Sequence, residues 1–555
     1  MNLHRLNKQE LKRKKDNFLN YDFEDQGGYE ELRMQTTETG NIEQISDCLD
    51  VNHPIASKRR LKAFLVVLLI IILICGLTTI GVLFGLETRK LKEIDMKQLS
   101  QPLIKDEFMN NPCRSKSKNP KLIDQGKKEW GSRGRSFLVS FLQNHNKANE
   151  TNRTIIVSSE TDFDLIVSLP ENQRSNLISI STLRSRNVTL KKLDVHHSLV
   201  PSYNTTESKA IIINTSVRTS VLSVTKHDVS SDTTTVFPID KLSTDYIIST
   251  ATPTDKFFGS GSHFTIAAMK DNTIVSIVFK ADHDIDIVLQ GKSYGSGDTF
   301  NVILNKYQTF QIGLKADMTG TMIRSSNPVA VFAGNRCLAV GYLGYCSMLM
   351  EMVPPADKLD YVFIVPPNIH RYQSQVRILS AVKTKIKFTT KDMKTTGLLL
   401  KDRFADFIIR EHEVGVVYST EPILVNSIAL ASTKTNIYGD PFMVTIPGIN
   451  QYLNEYINVV PDGFTFNFAT FMIRNDSLRS LQINGTNMNI YKCLFHSSVL
   501  VGTDLYSVCT VSVPFGVIDV KTSDGSRFGF IVTGQRKNDG HGYAGNALLT
   551  ASCGT

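Results

Sequence analysis

One apolar run, residues 63–86, constrains this chain more than any other stretch. It is 24 residues long and carries no charge. A helix rises about 1.5 Å per residue, so a run of this length crosses a hydrocarbon core of about 30 Å. A removable signal peptide begins near the first residue, whereas 62 residues precede this run. We therefore predict a tail over residues 1–62 and a retained transmembrane signal-anchor helix over residues 63–86.

Glycosylation sequons decide the predicted orientation, because the charges that flank the run are balanced. The flanking basic residues are Lys58, Arg59, Arg60 and Lys62 before the run, and Arg89, Lys90, Lys92 and Lys97 after it. Asn-x-Ser/Thr sequons mark surface sites of chains that enter the secretory pathway, and every sequon here follows the run. They begin at Asn149, Asn152, Asn187, Asn204, Asn214, Asn475 and Asn484. We expect a single-pass type II protein of the plasma membrane with an extracellular C-terminus.

Charge leaves two alternatives open for the region beyond the run. The formal net charge is +9, and the tail contributes none of it because its 11 basic and 11 acidic residues balance. A basic region favours acidic glycans or anionic surfaces, or it is an ordinary solvated surface. No pattern of basic and aromatic residues is typical of nucleic-acid binding. We therefore predict no nucleic-acid partner. The extracellular protein or glycan partner that we predict rests on the repeated modules and the family resemblance described below.

The cysteines predict disulfide bonds outside the membrane. Of the eight cysteines, Cys48 lies in the tail and Cys75 in the apolar run, which leaves six in an oxidising compartment. Proximity along the chain favours two pairs and leaves a third; these pairs are Cys337–Cys346, Cys493–Cys509 and Cys113–Cys553. Zinc sites use closely spaced ligands such as CxxC. That spacing is absent here, so we predict no metal site and no cofactor.

The tail is predicted to be disordered and cytoplasmic, and the segment after the run is predicted to be a spacer. The tail is polar and poor in aliphatic residues. Tyr29-Glu30-Glu31-Leu32 fits two short signals: an acidic phosphorylation site, or an endocytic motif of Tyr29 and Leu32. A chance match of so short a pattern is the alternative. The tail would thus meet a trafficking or phosphotyrosine-binding partner, and residues 87–132 form a basic stalk.

Short β-branched runs begin at residue 133 and predict a mainly β fold. Each run has four to nine residues and is bounded by Asn, Asp, Gly, Ser or Pro, as in AIIINTSV, TIVSIVF and YVFIVPP. Amphipathic helical periodicity is not evident among them. This pattern is typical of tandem β-sandwich-like modules.

An internal repeat supports several such modules. A hydrophobic residue, a proline, a polar loop and a tyrosine that leads a strand recur three times, at Phe237-Pro238 to Tyr246, Val353-Pro354 to Tyr361, and Ile446-Pro447 to Tyr456. The last two are preceded by related segments, SSNPVAVFAG from Ser325 and STEPILVNSIA from Ser419. Repetition of one supersecondary unit favours a recognition or architectural surface. We predict approximate modules at 133–256, 257–366, 367–461 and 462–555.

The ordered motifs of residues 134–553 resemble the IgGFc-binding domain family. They are Gly134-Arg135-Ser136-Phe137 before FLQN; Ser326-Asn327-Pro328-Val329-Ala330-Val331-Phe332-Ala333-Gly334 before Cys337 and Cys346; Glu351-Met352-Val353-Pro354-Pro355 before YVFIVPP; Tyr438-Gly439-Asp440-Pro441-Phe442 before IPG; and Gly529-Phe530 with Gly542-Tyr543. The resemblance implies a binding or adhesive module and not a catalyst. It does not imply that this chain binds antibody.

The sequence shows no convincing catalytic motif. HExxH and P-loop patterns do not occur. The one G-x-S-x-G match, Gly291 to Gly295, leads into a predicted hairpin turn and not into the helix that follows a nucleophile elbow. His196-His197 is predicted to lie in a solvated loop. Asp282, Asp284 and Asp286 alternate, which places them on one strand face; they suit either a calcium site or a polar outer face. We predict no catalytic residues and a non-enzymatic membrane glycoprotein that binds extracellular macromolecules. The alternatives are a structural surface-coat glycoprotein and an ectoenzyme of the hydrolase class.

Overall fold

The computed structural model describes residues 131–146, 148–170, 175–185, 187–253, 261–280, 287–340, 346–432 and 439–550. These residues form strands joined by turns and short 3-10 helices, which confirms the predicted mainly β fold. The predicted tail, the apolar run and the stalk up to residue 130 lie outside the described residues. Within the described part of the chain, no helix has the length and apolarity needed to span a membrane.

The strands fall into four sets that follow one another along the chain. The first set is β1 (Gly134–Val139), β2 (Asn152–Ser159), β3 (Leu165–Ser168), β4 (Ile178–Ser185), β5 (Val188–Val195), β6 (Thr206–Ser208), β7 (Ile211–Lys226) and β8 (Asp232–Val236). The second is β9 (Ser243–Ile247), β10 (Ser262–Ala268), β11 (Thr273–Val278), β12 (Ile287–Leu289), β13 (Lys292–Tyr294), β14 (Thr299–Leu304), β15 (Gln308–Leu314), β16 (Met322–Leu338) and β17 (Ser347–Met352).

The third and fourth sets complete the described chain. The third is β18 (Asp360–Val365), β19 (Gln373–Leu379), β20 (Thr384–Thr389), β21 (Lys394–Leu399), β22 (Phe404–Arg410), β23 (Gly415–Ala429) and β24 (Phe442–Thr445). The fourth is β25 (Glu455–Val460), β26 (Phe466–Arg474), β27 (Leu481–Ile483), β28 (Thr486–Asn487), β29 (Phe495–Val501), β30 (Asp504–Ser512), β31 (Gly516–Thr522), β32 (Phe528–Arg536) and β33 (Asp539–Ala544). The 3-10 helices span Ala148–Glu150, Ser175–Leu177, His197–Leu199, Ile239–Lys241, Ala356–Lys358, Ile449–Gln451, Asn475–Ser480 and Met488–Ile490.

All four sets share one topology, in which a long strand belongs to two sheets. The first half of β7 pairs with β1 and β3, and its second half pairs with β2 and β8. The first half of β16 likewise pairs with β9 and β11, and its second half pairs with β10 and β17. The first half of β23 pairs with β18 and β20, and its second half pairs with β19 and β24. In the fourth set the long strand is broken into β31 and β32, which keep the corresponding partners.

Proline marks the point where the long strand leaves one sheet for the other. The pairing register shifts between Arg324 and Val329 in β16, and opposite the Asp360/Val362 step in β23. Pro328 and Pro422 lie at these shifts, where the missing N–H of proline removes no ladder bond from a regular sheet. The SSNPVAV and STEPILV segments of the sequence are therefore the bends of two equivalent long strands.

The repeated tyrosine ties the first strand of a set to its long strand. The Tyr246 hydroxyl donates to the Val329 carbonyl at 2.6 Å, and the Tyr456 hydroxyl donates to the Phe528 carbonyl at 2.5 Å. The tyrosine strands thus pair with the strands that follow them. The second, third and fourth sets accordingly begin at Ser243, Asp360 and Glu455, ahead of the predicted limits at 257, 367 and 462. We call these sets the four repeats.

The last strands of the four repeats, β8, β17, β24 and β33, pack around a common centre that we call the hub. Side chains there bond to the backbone of the neighbouring repeat. Asp232 Oδ2 accepts from the Met350 N–H at 2.9 Å, Glu351 Oε1 from the Thr445 N–H at 2.9 Å, and Asp539 Oδ1 from the Ser231 N–H at 2.8 Å. The bond to Asp539 joins the fourth repeat to the first. Strand β24 also packs against β33, which joins the third repeat to the fourth, so the four repeats form a closed ring.

A candidate binding groove between the first and fourth repeats

Most of the predicted glycosylation sites lie at the surface. Asn149, Asn152, Asn187, Asn204 and Asn475 are exposed. Asn214 and Asn484 are half-buried, and their side-chain oxygens accept hydrogen bonds from Ser136 Oγ at 2.7 Å and the Asp519 N–H at 3.0 Å. The five exposed sites are therefore the better placed acceptors for a glycan.

Two of the three predicted disulfides are present. Cys337 bonds to Cys346 with a Cα–Cα distance of 5.1 Å, and Cys493 bonds to Cys509 with a Cα–Cα distance of 5.6 Å. Cys113 and Cys553 lie outside the described residues, as do Tyr29, Leu32 and the aspartates at 282, 284 and 286. His145 lies 4.0 Å from the Cys346 sulfur, but a sulfur held in a disulfide offers no thiolate to a metal ion.

An open groove of about 840 Å³ separates the first repeat from the fourth. One wall is a face of the sheet formed by β2, β5 and β7. Opposed residues of antiparallel strands share a face, and the pairs Ile156–Lys192 and Asn152–Lys226 place all four side chains on this one. The other wall comprises the end of β25, the loop after it and the start of β31. The groove therefore exists because the ring closes here between repeats from opposite ends of the described chain.

Apolar side chains cover much of the groove surface. Ile156, Leu190 and Val224 of the first repeat pack with residues of the fourth repeat in one core cluster, and they continue into the groove. At its rim Leu183 is 51% exposed and Phe515 is 68% exposed. Large exposed apolar side chains beside a concavity are typical of interaction sites.

Lys192, Lys226 and Asp462 form a charged cluster in the groove, whose lining also includes Arg153, Arg184 and Asp194. Asp462 lies in the loop after β25 with 62% of its side chain exposed. Lys226 Nζ lies 3.3 Å from Asp462 Oδ1, and Lys192 Nζ lies 3.9 Å from its Oδ2. Lys226 also donates to the Asp462 carbonyl at 3.0 Å. One carboxylate thus faces two ammonium groups, and the cluster keeps a net positive charge.

The histidines and Arg153 beside the groove have local structural roles. His196 and His197 are exposed with ring centroids 4.0 Å apart, as expected for the solvated loop predicted from the sequence. His196 Nδ1 accepts the Ser198 N–H at the start of a 3-10 helix. Arg153 is buried and donates to the carbonyls of Ala148 and Thr151, and burial lowers its pKa to about 10.

Acidic side chains also gather at the hub, but their surroundings differ from those of a substrate site. Glu351 and Asp360 border a small cavity of about 40 Å³. That volume suits water molecules, whereas ligand pockets typically span about 300–1,000 Å³. The carboxylate oxygens of Glu351 already accept from Thr234 Oγ1 at 2.8 Å and from the Thr445 N–H. The hub acids thus hold the repeats together.

Stability of the ring is expected to fall as pH rises through the titration of Glu351. Burial raises its pKa to about 8, although the hydrogen bonds from Thr445 and Thr234 oppose the shift. A raised carboxyl pKa contributes stability that is complete below the unfolded-state value and is lost as pH rises through the folded-state value. Between pH 5.5 and 8.5, the wild type should lose about 3 kcal/mol more unfolding free energy than Glu351→Gln. Urea unfolding followed by circular dichroism measures the unfolding free energy of the wild type and of Glu351→Gln at each pH. If the two free energies changed in parallel with pH, this expectation would be contradicted.

The first and last described residues meet on the first repeat. Ser132 Oγ donates to Asn546 Oδ1 at 3.0 Å, and Asn546 Nδ2 donates to Ser220 Oγ at 2.6 Å. Ser220 pairs with Ser158 near the end of β2, and the groove lining on that strand runs from Asn152 to Ile156. The first repeat therefore carries both this contact and one wall of the groove.

No local pattern in the sequence indicates this groove. Lys192, Lys226 and Asp462 come from three separate strands or loops and meet only through ring closure. The alternation of side chains along β2 and β5 indicates which residues share a face of the sheet. No sequence pattern indicates which repeat packs opposite that face.

Comparison with known proteins supports the resemblance noted in the sequence. The family model described as IgGFc binding protein matches residues 232–534, more than half of the chain. IgGFc-binding protein of Homo sapiens is 22% identical over 323 residues, which cover 58% of this chain and 6% of the length of that relative. No solved structure matches the chain. The family match and the ordered motifs together show that this chain belongs to the IgGFc-binding protein family.

Proposed function

We propose that this chain is a single-pass type II membrane glycoprotein of the plasma membrane whose ring of β repeats binds an extracellular protein or glycan through the groove. The observation that carries the binding role is the 840 Å³ groove with its exposed apolar rim and paired lysines. Family membership supports binding rather than catalysis.

Several features support an extracellular location and a membrane anchor. The apolar run of residues 63–86 has the length of a spanning helix. Disulfides persist in oxidising compartments, and two are present. Five sequons are exposed, and two of them, Asn149 and Asn152, border the groove. The tail signal around Tyr29 and Leu32 would then serve a cytoplasmic trafficking or phosphotyrosine-binding partner.

Topology is the first expected result. Intact cells that express the full chain are treated with an impermeant protease and, separately, with a glycosidase that removes N-glycans. We expect the region after residue 86 to be cleaved and to lose mass on deglycosylation, because its sequons and disulfides face outside. A protected, unglycosylated region would contradict the orientation and the extracellular partner together.

The groove itself is tested by adding a glycan at its rim on β4, two strands away from the native sequon at Asn152 on β2. Leu183→Asn creates an Asn-x-Ser sequon at the groove rim, and Lys394→Asn creates an Asn-x-Thr sequon on β21 of the third repeat as a matched control. Adhesion of cells expressing each full-length variant to a panel of immobilised secreted glycoproteins and matrix components is compared with wild type. We expect saturable adhesion to be lost only with Leu183→Asn. Equal adhesion by both variants would remove the groove as the site, and no adhesion by the wild type would favour the alternative of a surface-coat glycoprotein.

A further inference from the structure

The carboxylate of Asp462 occupies the position that an acidic ligand would take. It lies between Lys192 and Lys226, yet it sits in a surface loop and most of its side chain contacts solvent. Exposed ion pairs contribute about 0–1 kcal/mol, so the loop holds this carboxylate weakly. The whole lining also has an excess of positive charge. Its cationic side chains (Arg153, Arg184, Lys192 and Lys226) outnumber its two aspartates (Asp194 and Asp462), even with Arg184 paired to Asp162. The cluster is therefore suited to a second anion, or to one that replaces Asp462.

The surroundings of the lysines favour a peptide over a sulfated oligosaccharide. Ile156, Leu190 and Val517 line the groove beside the charged cluster, and Leu183 and Phe515 extend this apolar surface to the rim. An acidic polypeptide segment buries its own apolar side chains against such a surface, with about 25 cal/mol gained per Å² removed from water. A sulfated oligosaccharide offers charge but few apolar groups.

The length of the groove fits an extended segment. Its floor crosses four neighbouring strands in the order β7, β2, β5 and β4. Strands lie about 4.8 Å apart, so the floor spans about 14 Å between the outer two. An extended chain covers that distance in about four or five residues. A short segment with an acidic side chain flanked by apolar ones therefore matches the charged cluster and the apolar lining together.

From these contacts we infer that the groove recognises an acidic, apolar segment of an extracellular protein, whose carboxylate takes the place of Asp462 between Lys192 and Lys226. This inference rests on the proposed role of the groove as the binding site. The Asp462 loop acts as an internal competitor, so ligand binding releases it. The net charge of +9 assists the approach of an acidic partner.

A fluorescein-labelled decapeptide of alternating leucine and glutamate provides the probe, with a leucine–glutamine peptide as its uncharged counterpart. Anisotropy is measured with the full-length chain in detergent micelles at low and high salt. We expect the glutamate peptide to bind, with affinity falling at least tenfold in Lys192→Gln and in Lys226→Gln. Lys394→Gln, an exposed lysine of the third repeat, should bind as the wild type does.

Asp462→Asn gives the distinguishing readout. Removal of the internal competitor should raise affinity for the glutamate peptide by about threefold to tenfold, whereas loss of a merely structural residue would lower it. Unchanged or weaker binding by Asp462→Asn overturns the inference. Equal binding of the glutamine peptide also overturns it, and so does binding of a heparin-derived oligosaccharide in place of the peptide. Thermal unfolding of each variant shows that the fold is retained.

The two proposals fail in different ways. If the glycan at position 183 abolishes macromolecular adhesion but the glutamate peptide does not bind, the groove is the site and the ligand class is wrong. If that glycan leaves adhesion intact, the site of the proposed function is wrong, whatever the peptide does.

Discussion

Arg377→Met is expected to lower the free energy of unfolding by about 3–5 kcal/mol, because it leaves a buried carboxylate without its partner. Arg377 lies on β19 of the third repeat with its side chain 0% exposed. Its guanidinium lies 2.6 Å from Asp317 of the second repeat and 2.8 Å from Asp406, and it donates to the Thr250 carbonyl at 2.7 Å. One side chain thus joins two repeats through charge and backbone contacts.

The pKa of Asp317 shows how strongly this pair is coupled. Burial alone would raise that pKa, but the Arg377 charge and the hydrogen bonds from Thr319 and Thr252 outweigh it, and the pKa lies below its ordinary value. Without Arg377 the carboxylate must remain charged in a buried site or take up a proton. The double variant Arg377→Met, Asp317→Asn should recover part of the lost stability, since no carboxylate is then buried alone at position 317.

Urea unfolding followed by circular dichroism at pH 7 measures the effect of Arg377→Met. Arg474→Met is the matched control, because Arg474 pairs with Asp476 and Asp504 at the surface, with 36% of its side chain exposed. It should change stability by less than about 1 kcal/mol. A similar loss of unfolding free energy in both variants would show that burial of Arg377 does not increase the contribution of its ion pairs to stability.

Asp539→Ala is expected to open the ring where the fourth repeat meets the first. The Asp539 carboxylate is buried and accepts from the Ser231 N–H at 2.8 Å, from Ser231 Oγ at 2.7 Å and from Arg536 at 2.9 Å. The substitution leaves an arginine and a buried backbone donor without this acceptor, at a cost of about 3–5 kcal/mol. The loss falls on one seam of the ring, so we expect local opening.

Hydrogen exchange resolves that opening by region. Amides of β8 and β33 should lose protection in Asp539→Ala, while those of β20 and β21 in the third repeat should keep it. Asp476→Ala, which removes a surface carboxylate of the same repeat, serves as the control. Because the same two repeats form the groove, adhesion should weaken with Asp539→Ala. Unchanged protection of β33 would mean that the ring closes through other contacts.

Local chemistry made the strands and the repeat predictable. Alternating β-branched residues indicate strands wherever one face of the sheet is buried. Pro328 and Pro422 indicate a repeated unit, because a proline inside a strand marks a bend and both prolines occur in related segments. The disulfides Cys337–Cys346 and Cys493–Cys509 followed from proximity along the chain. The tyrosine motif also pointed to a repeat, and its hydroxyl bonds explain why Tyr246 and Tyr456 recur.

Pairing across long distances was not predictable in the same way. Tyr246 leads a strand whose partner lies some 80 residues further on, so the motif reads equally well as the end of one module or the start of the next. One feature of the sequence pointed to the hub, namely the polar run Ser230-Ser231-Asp232-Thr233-Thr234. A strand so rich in hydroxyls is unsuited to an apolar core, yet it is buried, because its side chains bond to the backbone of another repeat.

The contact between Ser132 and Asn546 has a mechanical consequence. Modules joined end to end lie in series, so a pull on the chain passes through each and unravels the weakest first. Here the first and last described residues meet beside Ser220 of β7. A pull between these two points therefore acts on the closed ring at one place and does not pass through the four repeats in series.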